Sequence, residues 1–536
     1  VVSFTRAAVA EVHRRLDDIS TDLGAVQPIT IDSLSTRLLN LAAAADTELA
    51  DTFDRRIAQA TRLLESHPDL LLGVQHVCID EIQDLVGVRS TFVMALLGRL
   101  DCGFTLLGDP AQGIYEFSVD ESGHNPVPSL SQQLRASYEL TEIELTVNHR
   151  ALTADTQRLA KLRSTVDPAT YDVSAPRVLR REIESLTAIP SLRFVSRSTQ
   201  GTVGVLCRHN GRALKISQGL HDAAIPHVLR RPANSRPLPQ WLAFATRDLP
   251  AGTISRSRFD RTFDPNVGPD AETAWKQLRG LARDRDGISL DLFRTRVAAG
   301  WPTDDLVPPQ RSDVTVSTIH RAKGLEYDRV VLVDDGLLQR DVSAEESRVI
   351  FVALTRARSE LFRITVPGDK VRLATNPSAS GRWTEHGFDH SRQALELIDG
   401  DVDRDAPPGT SYVESDTCRI QKYLATTSLC GEPVTLRYRR RITTDPRIAI
   451  YSIEHGQNLI GVTSTQFGLD LYNETNMARR DEPEWPSTIE GVRIDIIETL
   501  IGTRAATERS ALGSSGMWLA PRLGGFGRYV WKDRTS

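Results

Sequence analysis

The sequence has no excess of basic charge. Its 536 residues carry 65 Lys and Arg against 70 Asp and Glu, a formal net charge of −5 at pH 7. A chain with this balance has no global basic footprint, so any contact with nucleic acid has to come from a local groove. Long apolar runs are missing too. No stretch reaches the roughly 18 apolar residues that a membrane span needs, so no membrane partner is expected. No secretory leader is visible. Cysteine is scarce: the five at positions 78, 102, 207, 418 and 430 show no metal-ligand spacing. Cys78, Cys102 and Cys207 lie in or beside apolar runs, where a free thiol behaves as a small core residue. An odd count without a framework suits a reducing compartment, and a cytoplasmic location is expected. There is no repeat at a solenoid period and no low-complexity tract. The first residue is Val rather than Met, and the expectation is a chain that starts inside a longer protein.

What is present is ordinary globular composition, 40% hydrophobic and 25% charged, at a length suited to three or four domains. One stretch organises the rest. A largely apolar run, Val74 to Ile79, delivers two adjacent carboxylates in Asp80-Glu81-Ile82-Gln83-Asp84. A buried parallel strand ends in this way at the carboxyl edge of an α/β sheet, where ligands bind. Asp80 is suited to hold Mg²⁺ through water, and Glu81 to orient or deprotonate an attacking water.

Along the chain, short strands alternate with helices. Val1–Thr5 reads as a strand, Arg6–Ile19 as a helix, Ile29–Ile31 as a strand and Asp32–Leu41 as a capped helix. A polar helical segment spans about 46–66, and a helix runs near Val88–Leu100. The strand Gly103–Leu107 ends in Gly108-Asp109-Pro110-Ala111-Gln112-Gly113-Ile114-Tyr115-Glu116-Phe117. Glu142–Val147 reads as a strand leading to Asn148-His149-Arg150. Thr202–Cys207, Asn210–Ala223 and Ile225–Leu229 form a second strand–helix–strand series. Residues 233–312 are Arg-, Asp- and Pro-rich with helical patterns. Val314–Ser317, Arg329–Val333 and Leu361–Val366 resume the strands. A polar linker follows, and then β-like segments, with Gly456-Gln457-Asn458 as a hairpin turn. The alternation argues for doubly wound parallel sheets.

The ordered motifs resemble the UvrD/Rep type of superfamily 1 helicases over about residues 1–366. Ser3-Phe4-Thr5 looks like motif Ia and Thr30–Leu39 like Ib. Asp80–Asp84 looks like motif II, Gly108–Phe117 like III, and Asn148-His149-Arg150 like IV. Val203–Arg208, with Leu220 and Ile225-Pro226, is similar to IVa. Thr318–Tyr327 looks like V and Phe351–Ala357 like VI. Any one motif is weak; the ordered series is specific. The resemblance implies an α/β fold of two RecA-like parallel-sheet domains with a small helical insertion and a C-terminal β-rich domain. It implies domain 1A over 1–150 with a short insertion at about 42–72, and 2A over 151–232 and 313–375. A reduced 2B-like insertion is expected at 233–312, a linker at 376–410, and the β-rich accessory domain at 411–536.

By the same resemblance ATP and Mg²⁺ are the expected cofactors. Asp80 would hold the metal, Glu81 would activate water, and Gln112 would sense the γ-phosphate. Arg150 and Arg356 would stabilise charge in the transition state, as inserted guanidinium groups do in other NTPases. Gly324 and Glu326 would contact the nucleotide, Glu326 at the ribose. Phe4, Tyr115 and Phe117 are candidate stacking platforms for bases. Thr5, Thr30, Thr318 and His320 are expected on the nucleic-acid side. The expected partner is single-stranded or partly duplex DNA, with a protein partner docking through the C-terminal domain. The run Arg437-Tyr438-Arg439-Arg440-Arg441 interleaves an aromatic with charge, and a solvated strand face is its simpler reading.

Several features depart from the family pattern. No G-x-x-x-x-G-K-[ST] phosphate loop occurs in the sequence. N-terminal truncation is the expected explanation, and this chain alone is expected to bind ATP poorly. Asp32, Ser118 and His149 stand where the family usually carries His, Arg and Tyr. The expected function is an ATP-dependent DNA helicase or translocase moving 3′ to 5′ and serving a process such as repair. The alternatives are a non-hydrolysing, helicase-derived nucleic-acid or protein binding module, and an ATPase acting on protein.

Overall fold

A computed structural model describes the chain apart from residues 5, 18–25, 43–51, 116–128, 198–200, 231–236, 248, 250–251, 264–267, 285–286, 300, 302, 304–305, 307–311, 336, 338–341, 366–371, 377–379, 388–391, 427, 441, 476–482 and 532–536. Two compact units divide it: Val1–Arg208 with Ser312–Val366, and His209–Arg311 with Pro367–Ser536.

The first unit contains two parallel sheets. In one, strands β1 (Val2–Ser3), β2 (Ile29–Thr30), β3 (His76–Ile79) and β4 (Gly103–Leu106) lie in the order β2-β1-β3-β4. Val77 and Ile79 of β3 are buried against Ile57 and Leu64 of helix Phe53–Ser66 and Phe92 and Leu96 of helix Val88–Leu97. Thr52 caps the first of these helices by accepting from the Arg55 amide. That bond satisfies one of the orphan donors at the helix start. The other sheet runs Thr187–Ala188, Ala357–Ile364, Tyr327–Val333, Val203–Cys207, Val314–Thr318, all parallel within this unit. Every residue of Val203–Cys207 is buried, as a strand covered on both faces requires. Helix Ala344–Leu354 packs beneath this sheet; Ser347 to Leu354 are all buried. The stretch 151–192, of mixed signal in sequence, is mostly helical: Ala154–Ala160, Arg163–Val166 and Ala175–Ser185.

One expected strand is absent. Glu142–Val147 has no strand partner among the described residues, and Ile143, Leu145 and Val147 are 80%, 82% and 67% exposed. The alternation there gives one apolar face, but no described strand pairs with it. A strand exists only where its backbone groups find partners.

In the second unit, helices Asn210–Asp222, Trp241–Arg247, Arg256–Thr262, Ala271–Ala282 and Leu290–Ala298 precede residue 312, with a small antiparallel sheet between residues 253 and 289. Its larger sheet is antiparallel and contains nine described strands, from Arg372–Thr375 to Phe526–Val530. Strands Ile450–His455 and Asn458–Val462 form the expected hairpin, turning at Gly456 with φ +59°. Helices Thr417–Thr426, Thr465–Glu474 and Arg504–Arg509 accompany the strands. The stretch 376–410, expected as a linker, instead contains strands Trp383–His386 and Arg392–Glu396. Arg382 of this stretch is buried between Asp401 and Asp470. In the basic run, Arg437 and Arg439 pair with Glu454, while Tyr438 packs against Tyr451 and Trp485. Arg441 lies outside the described residues. No described helix is long and apolar enough to cross a membrane.

Candidate active site

Strand β3 ends where its carboxylates begin. The Asp80 amide still donates to Val2 O at 2.9 Å, and Glu81 then turns into the left-handed region, φ 57° and ψ 45°. That conformation is uncommon for a residue with a Cβ and marks a constrained position. Asp80 accepts from the Glu81 amide at 2.9 Å. Burial, and next the charge of Glu81, push the Asp80 carboxyl above its ordinary value. A cation beside this pair would relieve both effects, so the donor set fits a divalent metal.

Gln112 stands on the 3₁₀ turn Pro110–Gln112, which Asp109 caps by accepting from the Ala111 amide. Its side-chain NH₂ donates to Asp109 Oδ2 at 2.8 Å, and its Oε1 accepts from Arg356 Nη2 at 2.8 Å. Arg356 comes from the other sheet. It is fully buried and also donates to the carbonyls of Val352 and Leu325 and to Thr355 Oγ1. Burial first, then the neighbouring Arg150, lower its pKa to about 9. Arg150 donates to Glu326 Oε1 at 2.7 Å and to Thr355 O at 3.5 Å. Gly324 has φ +75°, the left-handed value that lets the chain turn between Lys323 and Leu325. Asp80, Glu81, Gln112, Arg150, Arg356, Gly324 and Glu326 thus all belong to the first unit.

The aromatic residues form a second group. Tyr115 packs its ring 5.0 Å from Phe4 and 6.0 Å from the His320 imidazole, and its hydroxyl donates to His320 O at 2.9 Å. Arg89 lies 5.8 Å over the Phe4 ring. Thr30 and Thr318 use their hydroxyls locally. Thr30 accepts from the Ser33 amide at 3.1 Å, and Thr318 accepts from the Arg321 amide at 3.4 Å, each at a helix start. Thr5 and Phe117 lie outside the described residues.

Sequence reasoning passed over several residues at this site. Lys323 is buried and pairs with Asp84 at 2.6 Å; it also bonds the Gln112 carbonyl. Burial pushes the Asp84 carboxyl up to about 7, against the pull of Lys323. Arg348 donates to Gly113 O at 2.6 Å, and Arg163 to Asp109 Oδ1 at 2.9 Å. Gln83 links Glu81 to Asp109. The signal for Gln83, Asp84 and Lys323 was their place inside the motifs. Arg348 and Arg163 carried none.

Comparison with known proteins finds helicase domains in two segments of the chain. The UvrD/REP helicase N-terminal domain matches residues 41–121. The UvrD-like helicase C-terminal domain matches residues 313–362. The chain is 27% identical over 328 residues to ATP-dependent DNA helicase UvrD2 of Mycobacterium tuberculosis, covering 53% of this chain and 46% of that protein. The Mycobacterium bovis UvrD2 matches to the same extent. ATP-dependent DNA helicase srs2 of Schizosaccharomyces pombe is 38% identical over 73 residues, 14% of this chain and 8% of that protein. The chain spans about half the length of the mycobacterial relatives it matches. Both domain matches fall in order on the segments that carry the motifs, and the chain is similar in these segments to helicases of the UvrD/Rep type.

Proposed function

We propose that the two sheets of the first unit form the motor of an ATP-dependent DNA translocase or helicase. The observation that carries the reading is the bond from Arg356 of one sheet to Gln112 of the other, beside Asp80 and Glu81. Mg²⁺, when bound through Asp80, would neutralise phosphate charge. Glu81 takes the proton of the attacking water. Gln112 exchanges its bond to Arg356 for one to the terminal phosphate. Arg150 and Arg356 supply positive charge to the transition state, and Glu326 and Gly324 sit at the sugar side. Single-stranded DNA passes over Phe4, Tyr115 and His320, in the 3′ to 5′ direction. Five scattered cysteines without metal-ligand spacing fit the reducing cytoplasm. The C-terminal unit is proposed to dock a protein partner.

The residues here do not include a G-x-x-x-x-G-K-[ST] cradle, so the reading concerns the protein with that cradle supplied. The same fact favours a second reading, a binding module that holds DNA without turnover. Glu81→Gln separates them. In the motor it lowers DNA-stimulated kcat by about 10²–10⁴, the usual worth of a general base, and leaves nucleotide binding intact. Turnover unchanged by Glu81→Gln would reject the role of Glu81. Single-strand affinity that is independent of ATP, with no turnover in the wild type, would favour the binding module.

A further inference from the structure

Gln83 connects two ends of the site. Its amide nitrogen donates to Glu81 Oε2, and its amide oxygen accepts from the Asp109 amide at 3.0 Å. A side-chain amide has one donor end and one acceptor end. Only one orientation gives the carboxylate a donor and the backbone N–H an acceptor, so the neighbours fix which way Gln83 faces. Asp109 in turn accepts from Gln112 at 2.8 Å, and Gln112 from Arg356 at 2.8 Å. The result is one continuous chain, Arg356–Gln112–Asp109–Gln83–Glu81.

The backbone at Gly108 gives the amide its room. A Cβ on Gly108 would lie 2.7 Å from Gln83 Oε1 and 2.7 Å from Ile82 Cγ1. Gly108 therefore makes space for the Gln83 amide, and the left-handed turn at Glu81 aims its carboxylate back at that amide.

We propose that Gln83 is a positioning residue that holds the Glu81 carboxylate in place and reports to it whether the Gln112–Arg356 contact across the sheets is made. The proposal rests on the motor reading for its consequence, but its structural claim stands apart from turnover. Gln83→Glu keeps the shape and the acceptor for the Asp109 amide, and loses the donor to Glu81. Turnover at pH 8 should fall about 10–100-fold, the range seen when an outer hydrogen-bond partner of a site is removed. The loss should fall on kcat, with KM near wild type. It should recover as pH drops toward 6, because the introduced carboxyl, once protonated, donates again. A purely structural role would give no such recovery.

Gly108→Ala is the second variant. The added Cβ meets the Gln83 amide oxygen and Ile82 Cγ1 alike, so a thermal melt is read beside kcat: with the fold retained and the Gln83 amide displaced, kcat should fall in the same way. Crystal structures of Gln83→Leu and of the wild-type chain supply a readout without turnover. Displacement of the Glu81 carboxylate from its wild-type position is expected. A Glu81 carboxylate that stays in place in Gln83→Leu overturns the proposal, as does a Gln83→Glu enzyme with wild-type kcat across pH 6–8. A wild type without turnover would count against the motor reading alone, and the crystallographic comparison would still decide the role of Gln83.

Discussion

Asp84 shows how far a side chain's surroundings can override its type. Its carboxyl is pushed up to about 7, first by burial, with Lys323 at 2.6 Å acting in the opposite direction. In the unfolded chain the same group titrates near 3.8. Between these values the folded state holds a proton that the unfolded state releases. Unfolding is then favoured as pH rises, and the contribution of Asp84 to stability, full below about 4, is lost by about 7. Asp84→Asn removes that slope. Urea unfolding at pH 5 and pH 7 should show wild-type stability falling relative to the variant as pH rises; a constant difference would reject the shifted carboxyl. The motif around Asp84 was legible in the sequence because an apolar run ending in carboxylates has a physical reading. Its partner was not, because Lys323 lies 239 residues away. Nothing about a lysine before a glycine says that its ammonium will be buried.

At the scale of elements, periodicity was a good guide where both partners of an element lie in the described chain. Thr202–Cys207 reads as a strand and Arg329–Val333 as a central one, and the strands found there, Val203–Cys207 and Tyr327–Val333, are paired on both sides. The same rule failed at Glu142–Val147, because alternation specifies a face and not a neighbour. It failed in the opposite sense at 376–410, where polar, proline-containing composition suggested a linker. There Arg382 donates to both oxygens of Asp401 at 2.7 Å and to Asp470 at 2.6 and 2.9 Å. The guanidinium and the Asp401 carboxylate are both almost fully buried. Removing one member of such a cluster leaves charge buried without compensation. Arg382→Met should therefore destabilise the second unit by about 3–5 kcal/mol. Replacing Arg382, Asp401 and Asp470 together with neutral residues of similar size should recover much of that loss. Chemical denaturation of the three proteins checks this; a cost below about 1 kcal/mol for the single change would mean that the cluster is solvated.

Over the whole molecule, net charge predicts little and local arrangement predicts more. A chain at −5 has no global basic field, so the proposed contact with DNA would rest on a small number of placed groups. Phe4, Tyr115 and His320 form one aromatic series that runs from one sheet of the first unit to the other. The order of the motifs was legible, and so were the residue types. The contacts across 205 residues, such as the Tyr115 hydroxyl on His320 O, were not, because they depend on how the two sheets meet. That hydroxyl allows the stacking role to be separated from the bridging role. Tyr115→Phe keeps the ring and loses the bond between the sheets; Tyr115→Ala loses both. If bases stack on this series, Tyr115→Ala should weaken single-strand binding about 5–150-fold, from the ~1–3 kcal/mol that one base–aromatic contact contributes. Tyr115→Phe should stay close to wild type in binding while lowering the coupling of ATP turnover to DNA. Fluorescence anisotropy with an oligonucleotide of mixed sequence, at fixed salt because phosphate contacts are salt-dependent, measures the first; DNA-stimulated ATPase measures the second. Equal loss of affinity in both variants would assign Tyr115 to bridging the sheets and not to stacking. Wild-type affinity in Tyr115→Ala would move the path of the strand away from this series altogether.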